Sequence, residues 1–230
     1  MKNCLVIGLG NFGKSLALEL ALNNIDVMVI DNDPQKVEDI KDKVTSAICI
    51  DATDEGAMAN LPYQSIDIGI VAIGEDEKAN IWATSILIEN GIPSVYVKAN
   101  SLKHGRILEK LGANYVIYPE SIAAKSIADS IVNENIEQSI DILEQYKIFI
   151  IKTPDFALGH KIKNIKEFNS ELIKIVGVIR KKLKINNYGN EYYQSEFVFV
   201  QDEFVLTESD SIILIADELE LKKILNRVEL

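Results

Sequence analysis

The chain has 230 residues, with 24 Lys and Arg against 35 Asp and Glu, a net charge of −11, and 47 % hydrophobic residues. That composition is globular rather than disordered, collagenous or coiled-coil, and the length suits one large domain or two small ones. The acidic balance argues against nucleic acid as the main partner, because neutralising phosphates needs clustered Lys and Arg.

No apolar run approaches the roughly 18–20 residues of a membrane span. The opening residues run straight into a glycine-terminated apolar stretch with Lys14 close behind, which is not the pattern of a signal peptide. Residues 3–7 form an apolar run of strand length, and residues 12–22 carry apolar side chains at helical spacing. Strand patterns then recur at 27–30, 47–50, 66–73, 94–97 and 115–118. Helical patterns lie between them at 34–42, 55–61, 77–89 and 102–111. This alternation predicts βαβ units, and the near-continuously apolar strands predict a parallel sheet covered on both faces.

After Pro119 a long helical stretch is expected, with Ile127, Ile131, Ile136, Ile140 and Leu143 on one face. Beyond it, strand patterns at 148–152, 173–180, 196–200 and 211–216 combine with helices at 162–168 and 218–228. Residues 186–193 (NNYGNEYY) read as a turn-rich insertion. Charge shifts along the chain: residues 1–143 hold 11 basic and 21 acidic side chains, and residues 144–230 hold 13 and 14. The expected fold class is α/β, a Rossmann-like parallel sheet with helices on both faces, followed by a smaller α+β domain. The expected domains are 1–136, including the start of a crossover helix, and 137–230. Cys4 and Cys49 lie in apolar segments and are expected to be buried thiols of a reducing cytoplasm.

The strongest chemical signal is Gly8-Leu9-Gly10-Asn11-Phe12-Gly13, which follows a strand and opens a helix. In that context Gly8 permits the tight turn, Gly10 lets a phosphate approach the backbone, and Gly13 lets helix and strand pack closely. The helix N-terminus adds free N–H groups and a positive dipole for the anion. Asp31, eighteen residues beyond Gly13 at the end of the second strand and followed by Asn32, is the expected acceptor for ribose hydroxyls. Its charge disfavours a 2′-phosphate, and so NADP. Asp33-Pro34 reads as the cap and first position of the next helix.

Other residues fall at the same sheet edge: Asp51, Ala52 and Thr53 after the third strand, Ile73 and Gly74 after the fourth, Lys98 ending the fifth, and Glu120 after the sixth. Asp51 and Thr53 either contact adenosine or cap a helix with Asp54; Lys98 either neutralises a phosphate or is a solvated surface lysine. Glu75-Asp76-Glu77 complements a helix start. His104 and His160 are the only histidines, neither beside a candidate nucleophile, and no Cys/His cluster has metal-ligand spacing.

The segments VIGLGNFG (6–13), VID (29–31), DATDEGAM (51–58), VAIGEDEKANI (71–81), VKA (97–99) and LGANYVIYPE (111–120) resemble the cytosolic regulators of bacterial potassium uptake, the Ktr/Trk type, and their relatives that gate potassium channels. The likeness is close over about the first 140 residues and looser over the companion domain. It implies a non-catalytic cytoplasmic protein at the inner face of the membrane. Homodimers would assemble into a ring, an octamer by resemblance, on a membrane-embedded channel subunit. It implies ATP/ADP or NAD(H) in the crevice, and a divalent or monovalent cation near Glu120. Many relatives have Arg where this chain has Asn11, so the counter-charge for a terminal phosphate is missing here. Some companion domains bind cyclic di-AMP through a basic residue after Ile165; Glu171 stands in its place, leaving that ligand unsupported. The rival readings are an NAD-dependent oxidoreductase, which shares the glycine loop and Asp31 but lacks a candidate acid/base pair, and a redox-sensing transcription factor, which would need a basic module.

Overall fold

The computed structural model describes residues 2–168, 170–186 and 189–226. In β1 (Asn3–Ile7) the side chains alternate: Leu5 and Ile7 enter one core, Cys4 and Val6 another on the opposite face. The chain continues through α1 (Asn11–Leu22), β2 (Asp26–Asp31), α2 (Pro34–Glu38), β3 (Ser46–Cys49), α3 (Glu55–Met58), β4 (Ile68–Val71), α4 (Glu77–Glu89), β5 (Ser94–Lys98), α5 (Leu102–Leu111) and β6 (Tyr115–Ile117). The six strands are parallel in the order β3-β2-β1-β4-β5-β6. Ala83 and Leu87 of α4 and Leu108 of α5 cover one face; Ala17 of α1 and Val37 of α2 cover the other. Each fully buried Leu or Ile contributes about 1.5–3 kcal/mol, so the two cores make the sheet a rigid platform.

The chain divides into two compact units, Met1–Ile122 and Ala123–Leu230, rather than at 136/137. The division falls inside α6 (Pro119–Val132), whose later turns bond within the second unit: the Ser139 hydroxyl donates to Asp129 at 2.8 Å, and Lys147 Nζ lies 3.6 Å from the same carboxylate. The helix ends at Val132, and Ile136 and Ile140 belong to β7 (Ile136–Asp141), with Leu143 beyond it. A spacing of four fits both the helical repeat and the strand alternation, which is why those isoleucines read as helical.

The second unit adds β8 (Tyr146–Lys152), β9 (Ile173–Ile185), β10 (Glu191–Val198), β11 (Asp210–Asp217) and α7 (Glu218–Asn226). Its sheet is antiparallel, ordered β10-β9-β11-β8-β7. The expected helix over 162–168 is two 3-10 turns, Ile162–Asn164 and Lys166–Phe168. The expected insertion at 186–193 and strand at 196–200 are the β9–β10 hairpin, longer than its apolar pattern suggested; Asn187 and Tyr188 at its tip lie outside the described residues, as do 227 and 228 of the terminal helix. In the first unit the 34–42 helix breaks into α2 and a 3-10 turn at Lys41–Lys43, and the 66–73 strand shortens to β4. Cys4 is buried, and burial pushes its thiol up to about 12. Cys49 is exposed, because β3 is the sheet's outer strand.

Candidate nucleotide-binding cleft

Reversal of strand order between β1 and β4 opens a crevice at the carboxyl ends of the strands, the place where open α/β sheets bind ligands. A cleft of about 480 Å³ lies there. Gly8, Gly10, Asn11, Phe12, Asp31, Asn32, Asp51, Ala52, Thr53, Ile73, Gly74, Lys98 and Glu120 all line it. Gly13 stands behind, where a Cβ would come within 2.0 Å of the Gly8 carbonyl oxygen. Gly8 itself has φ +97°, the left-handed region that glycine adopts without strain.

Gly10 is the N-cap of α1 and offers no side chain. Lys14 N–H closes the first helical bond to its carbonyl, which leaves the N–H groups of Gly10, Asn11, Phe12 and Gly13 without a protein acceptor among the described residues. A Cβ built on Gly10 meets nothing within 4 Å, so the loop faces open space. These donors form a cradle for a phosphate.

Asp31 does more than its position in the motif suggests. Only 8 % exposed, its carboxylate accepts from Leu9 N–H at 2.6 Å and from Asp33 N–H at 2.9 Å, tying the glycine loop to the end of β2. Lys36 Nζ lies 3.7 Å away. A carboxylate has about four lone-pair sites, so capacity for ribose hydroxyls remains. Asp33 caps α2 through Gln35 N–H, as expected. Asp51 accepts from the Thr53 N–H at 2.9 Å and hydroxyl at 2.7 Å, and these bonds hold its carboxyl below the usual range. The helix cap there is Asp54 alone, which leaves the Asp51–Thr53 turn on the cleft wall. Asp76 caps α4 through Lys78 and Ala79 N–H.

Lys98 and Glu120 are coupled. The ammonium donates to Glu120 at 2.6 Å, with the lysine side chain 13 % exposed and the glutamate 69 %. Lys98 therefore holds Glu120's carboxyl below its ordinary value. Lys98 Nζ also lies 3.1 Å from where a Cβ on Gly74 would stand. Both cleft-lining ammonium groups thus already face carboxylates: Lys36 that of Asp31, Lys98 that of Glu120. Among the described residues no group of three or more His, Cys, Asp or Glu is placed to hold a metal ion. Glu120, which the resemblance places near a cation, is paired within this chain with the Lys98 ammonium.

One organising residue was not singled out in the sequence, although it lies within the 71–81 segment. Asn80, fully buried on α4, donates to the carbonyls of Ile73 at 2.7 Å and Lys98 at 3.0 Å, pinning the ends of β4 and β5 at the cleft floor. The α4 sequence, which also carries Thr84 and Ser85, does not mark Asn80 out by composition. His104 is buried on α5, 3.7 Å from Glu77, and His160 is exposed; neither lines the cleft.

Residues 4–119 match the TrkA-N domain. Ktr system potassium uptake protein C of Bacillus subtilis is 32 % identical over 200 residues, 86 % of this chain and 90 % of that protein. Ktr system potassium uptake protein A of Vibrio alginolyticus is 35 % identical over 178 residues, 77 % and 78 % of the two chains. Among solved structures, the GsuK RCK domain superposes with a TM-score of 0.64 at 16 % identity, covering 98 % of this chain and 47 % of that one. A GsuK channel bound to NAD gives 0.63 at 16 %, covering 96 % and 38 %. At that identity the likeness is one of fold, and this chain spans less than half the length of either.

Proposed function

We propose that this chain, which belongs to the TrkA-N domain family, is a regulatory subunit of potassium transport that senses an adenine nucleotide, ATP, ADP or NAD(H), without turning it over. The observation that supports this most is the cradle itself: four backbone N–H groups at the start of α1, unpaired among the described residues, beside a carboxylate that closes the ribose side of one cleft. In this reading Gly10, Asn11 and Phe12 hold the first phosphates. Asp31 orients the ribose and refuses a 2′-phosphate. The Asp51–Thr53 turn, with Ala52 and Asn32, borders the adenosine, and Ile73 and Gly74 form the opposite wall.

A ligand shifts a conformational equilibrium only by binding two states with different affinity. The Lys98–Glu120 pair supplies the difference. A phosphate reaching Lys98 competes with Glu120, and Glu120 sits in the first turn of α6, the helix that runs into the second unit. Phosphate occupancy is thereby linked to the anchoring of that helix. The proposed setting is a homo-oligomeric ring, cytoplasmic, docked on a membrane-embedded potassium channel subunit. No described helix is long and apolar enough to cross a membrane. Among the described residues, no histidine or cysteine lines the cleft.

Titration calorimetry with ADP, ATP and NAD, followed by native mass spectrometry, tests this. One nucleotide per chain with no product formed is expected. Steady NADH oxidation with a small carbonyl compound, or no binding of any adenine nucleotide, would overturn it.

A further inference from the structure

His104 sits in the first turn of α5, and its Nδ1 stands between two partners. The Asn100 N–H donates to it from 3.5 Å, and a carboxylate oxygen of Glu77 on α4 lies 3.7 Å away. One partner is a donor and the other an acceptor. A neutral ring can take the first; a protonated ring can take only the second. The residue is 2 % exposed, and its Nε2 has no partner. Among the described residues one other buried side-chain polar atom lacks a partner, Asn80 Oδ1. Asn80 lies one turn beyond Glu77 on α4. An unpaired ring nitrogen and an unpaired acceptor thus belong to the same pair of helices, so a ring that leans toward α4 has a bond to gain.

Asn100 connects this ring to the cleft. Its side-chain amide donates to the Gly74 carbonyl, and Gly74 lines the cleft beside Lys98. Asn80 holds the neighbouring carbonyls of Ile73 and Lys98. The charged and titratable groups around the ring come from several elements. From α4 comes Glu77, the one carboxylate in ion-pairing range of the ring among the described residues. From β5 comes Lys98, whose ammonium is held by Glu120. From the end of β6 the Tyr118 hydroxyl crowds Gly105, the residue after His104. On α5 itself Lys103 and Arg106 are exposed. Burial and the positive start of α5 favour the neutral ring, and Glu77 favours the charged one.

We propose that His104 is a proton-operated latch on the nucleotide cleft, an inference that rests on the sensing function proposed above. Neutral, the ring accepts from Asn100, and Asn100 holds the Gly74 wall in its binding position. When the ring takes a proton from solvent, Nδ1 becomes a donor, gives up the Asn100 N–H and turns to Glu77. Asn100 and the Gly74 wall then come loose, and the nucleotide is held less tightly. Histidine ordinarily changes charge between about pH 5 and 8, whereas the carboxylates and ammoniums that line the cleft are types that ordinarily do so outside that range. Linkage fixes the reciprocal effect: a nucleotide that prefers the neutral ring expels the proton as it binds. Affinity therefore falls as pH falls. An imidazolium acting on the phosphates through space would do the opposite, so the sign of the slope separates the latch from simple attraction.

Calorimetry on the full chain, with NAD and with ADP, is the test. NAD has no terminal phosphate; that of ADP titrates near about pH 6, so ADP is read against the variants below. Affinity should fall about tenfold from about pH 8 to about pH 5.5, with up to about one proton released per nucleotide near about pH 6.5, measured in buffers of different ionisation heat. His104→Gln should abolish the fall with NAD and the proton release, which a merely structural histidine would not produce in the native chain. Glu77→Gln, on the exposed first turn of α4, should bind within about twofold of the native chain at about pH 8. It should move the fall to lower pH, because the imidazolium has lost its acceptor, and it carries the test if His104→Gln fails to fold. A bound nucleotide with the same pH profile in the native and Glu77→Gln chains, or with native affinity rising in acid relative to the variant, would overturn the latch and leave the sensing function standing. No adenine nucleotide bound at any pH would defeat the sensing function, and the latch with it.

Discussion

Glu120→Gln separates two roles for the same carboxylate. In the structure Glu120 holds Lys98 at 2.6 Å, so an incoming phosphate must take the ammonium away from it. Exposed ion pairs are worth about 0.2–1 kcal/mol, and hydrogen bonds to buried charged groups about 1.5–3 kcal/mol. The lysine end is largely buried and the glutamate end largely solvated, which places this pair near about 1 kcal/mol. Glutamine keeps the shape and removes the charge. ADP and ATP should then bind about fivefold tighter, the ratio that corresponds to about 1 kcal/mol. In a Lys98→Ala background the same substitution should do little, since the competition no longer exists; the double-mutant cycle isolates the coupling. Calorimetry at low and at high salt is the assay, and the gain should shrink as salt screens the pair. If Glu120→Gln weakens binding, the carboxylate serves the ligand, directly or through a cation, and the competition described here is wrong.

Asn11 donates hydrogen bonds but adds no charge, so ATP should be preferred over ADP by less than tenfold, under about 1.4 kcal/mol, and Asn11→Arg should tighten ATP more than ADP in side-by-side titrations. Gly13→Ala drives a methyl into the Gly8 carbonyl, and should abolish nucleotide binding or lower the thermal midpoint of the first unit by several degrees. Burial alone would raise Asp210, but Arg180, at 2.6 and 2.7 Å, and the Thr207 N–H and hydroxyl hold it below the ordinary value. Because the folded group is depressed, its contribution is complete above about pH 4 and drains away as pH falls through the folded value. Asp210→Asn should therefore cost about 2–3 kcal/mol at pH 7 by denaturant unfolding, and less in strong acid.

Strand and helix alternation in the first unit was legible because each strand is a short apolar run closed by glycine, aspartate or a capping residue. The cleft was legible for a related reason: a parallel sheet gathers the residues after its strands at one edge, so Asp31, Asp51, Gly74 and Lys98 could be brought together without coordinates. What escaped was pairing at a distance. Nothing in the spacing of Lys98 and Glu120 shows that one occupies the other, and nothing around Asn80 shows that its amide bridges two strand ends. The second unit was less legible because β10 begins Glu-Tyr-Tyr-Gln-Ser-Glu, with no apolar alternation to mark a strand; its register comes from β9.

The carboxylate of Asp31 bears on how a chain of this kind could change its ligand over generations. Accepting a 2′-phosphorylated nucleotide requires removing the negative charge at the end of β2. In this protein that same charge satisfies the Leu9 N–H, in a buried position, and the Asp33 N–H. Leaving a buried donor unsatisfied costs about 1–3 kcal/mol. A substitution at position 31 would thus weaken the scaffold before any new preference could be selected, and a compensating acceptor for Leu9 would have to arise first. Ligand choice here is buffered against single-step drift, and a designer seeking to alter it must redesign the loop and the strand end together.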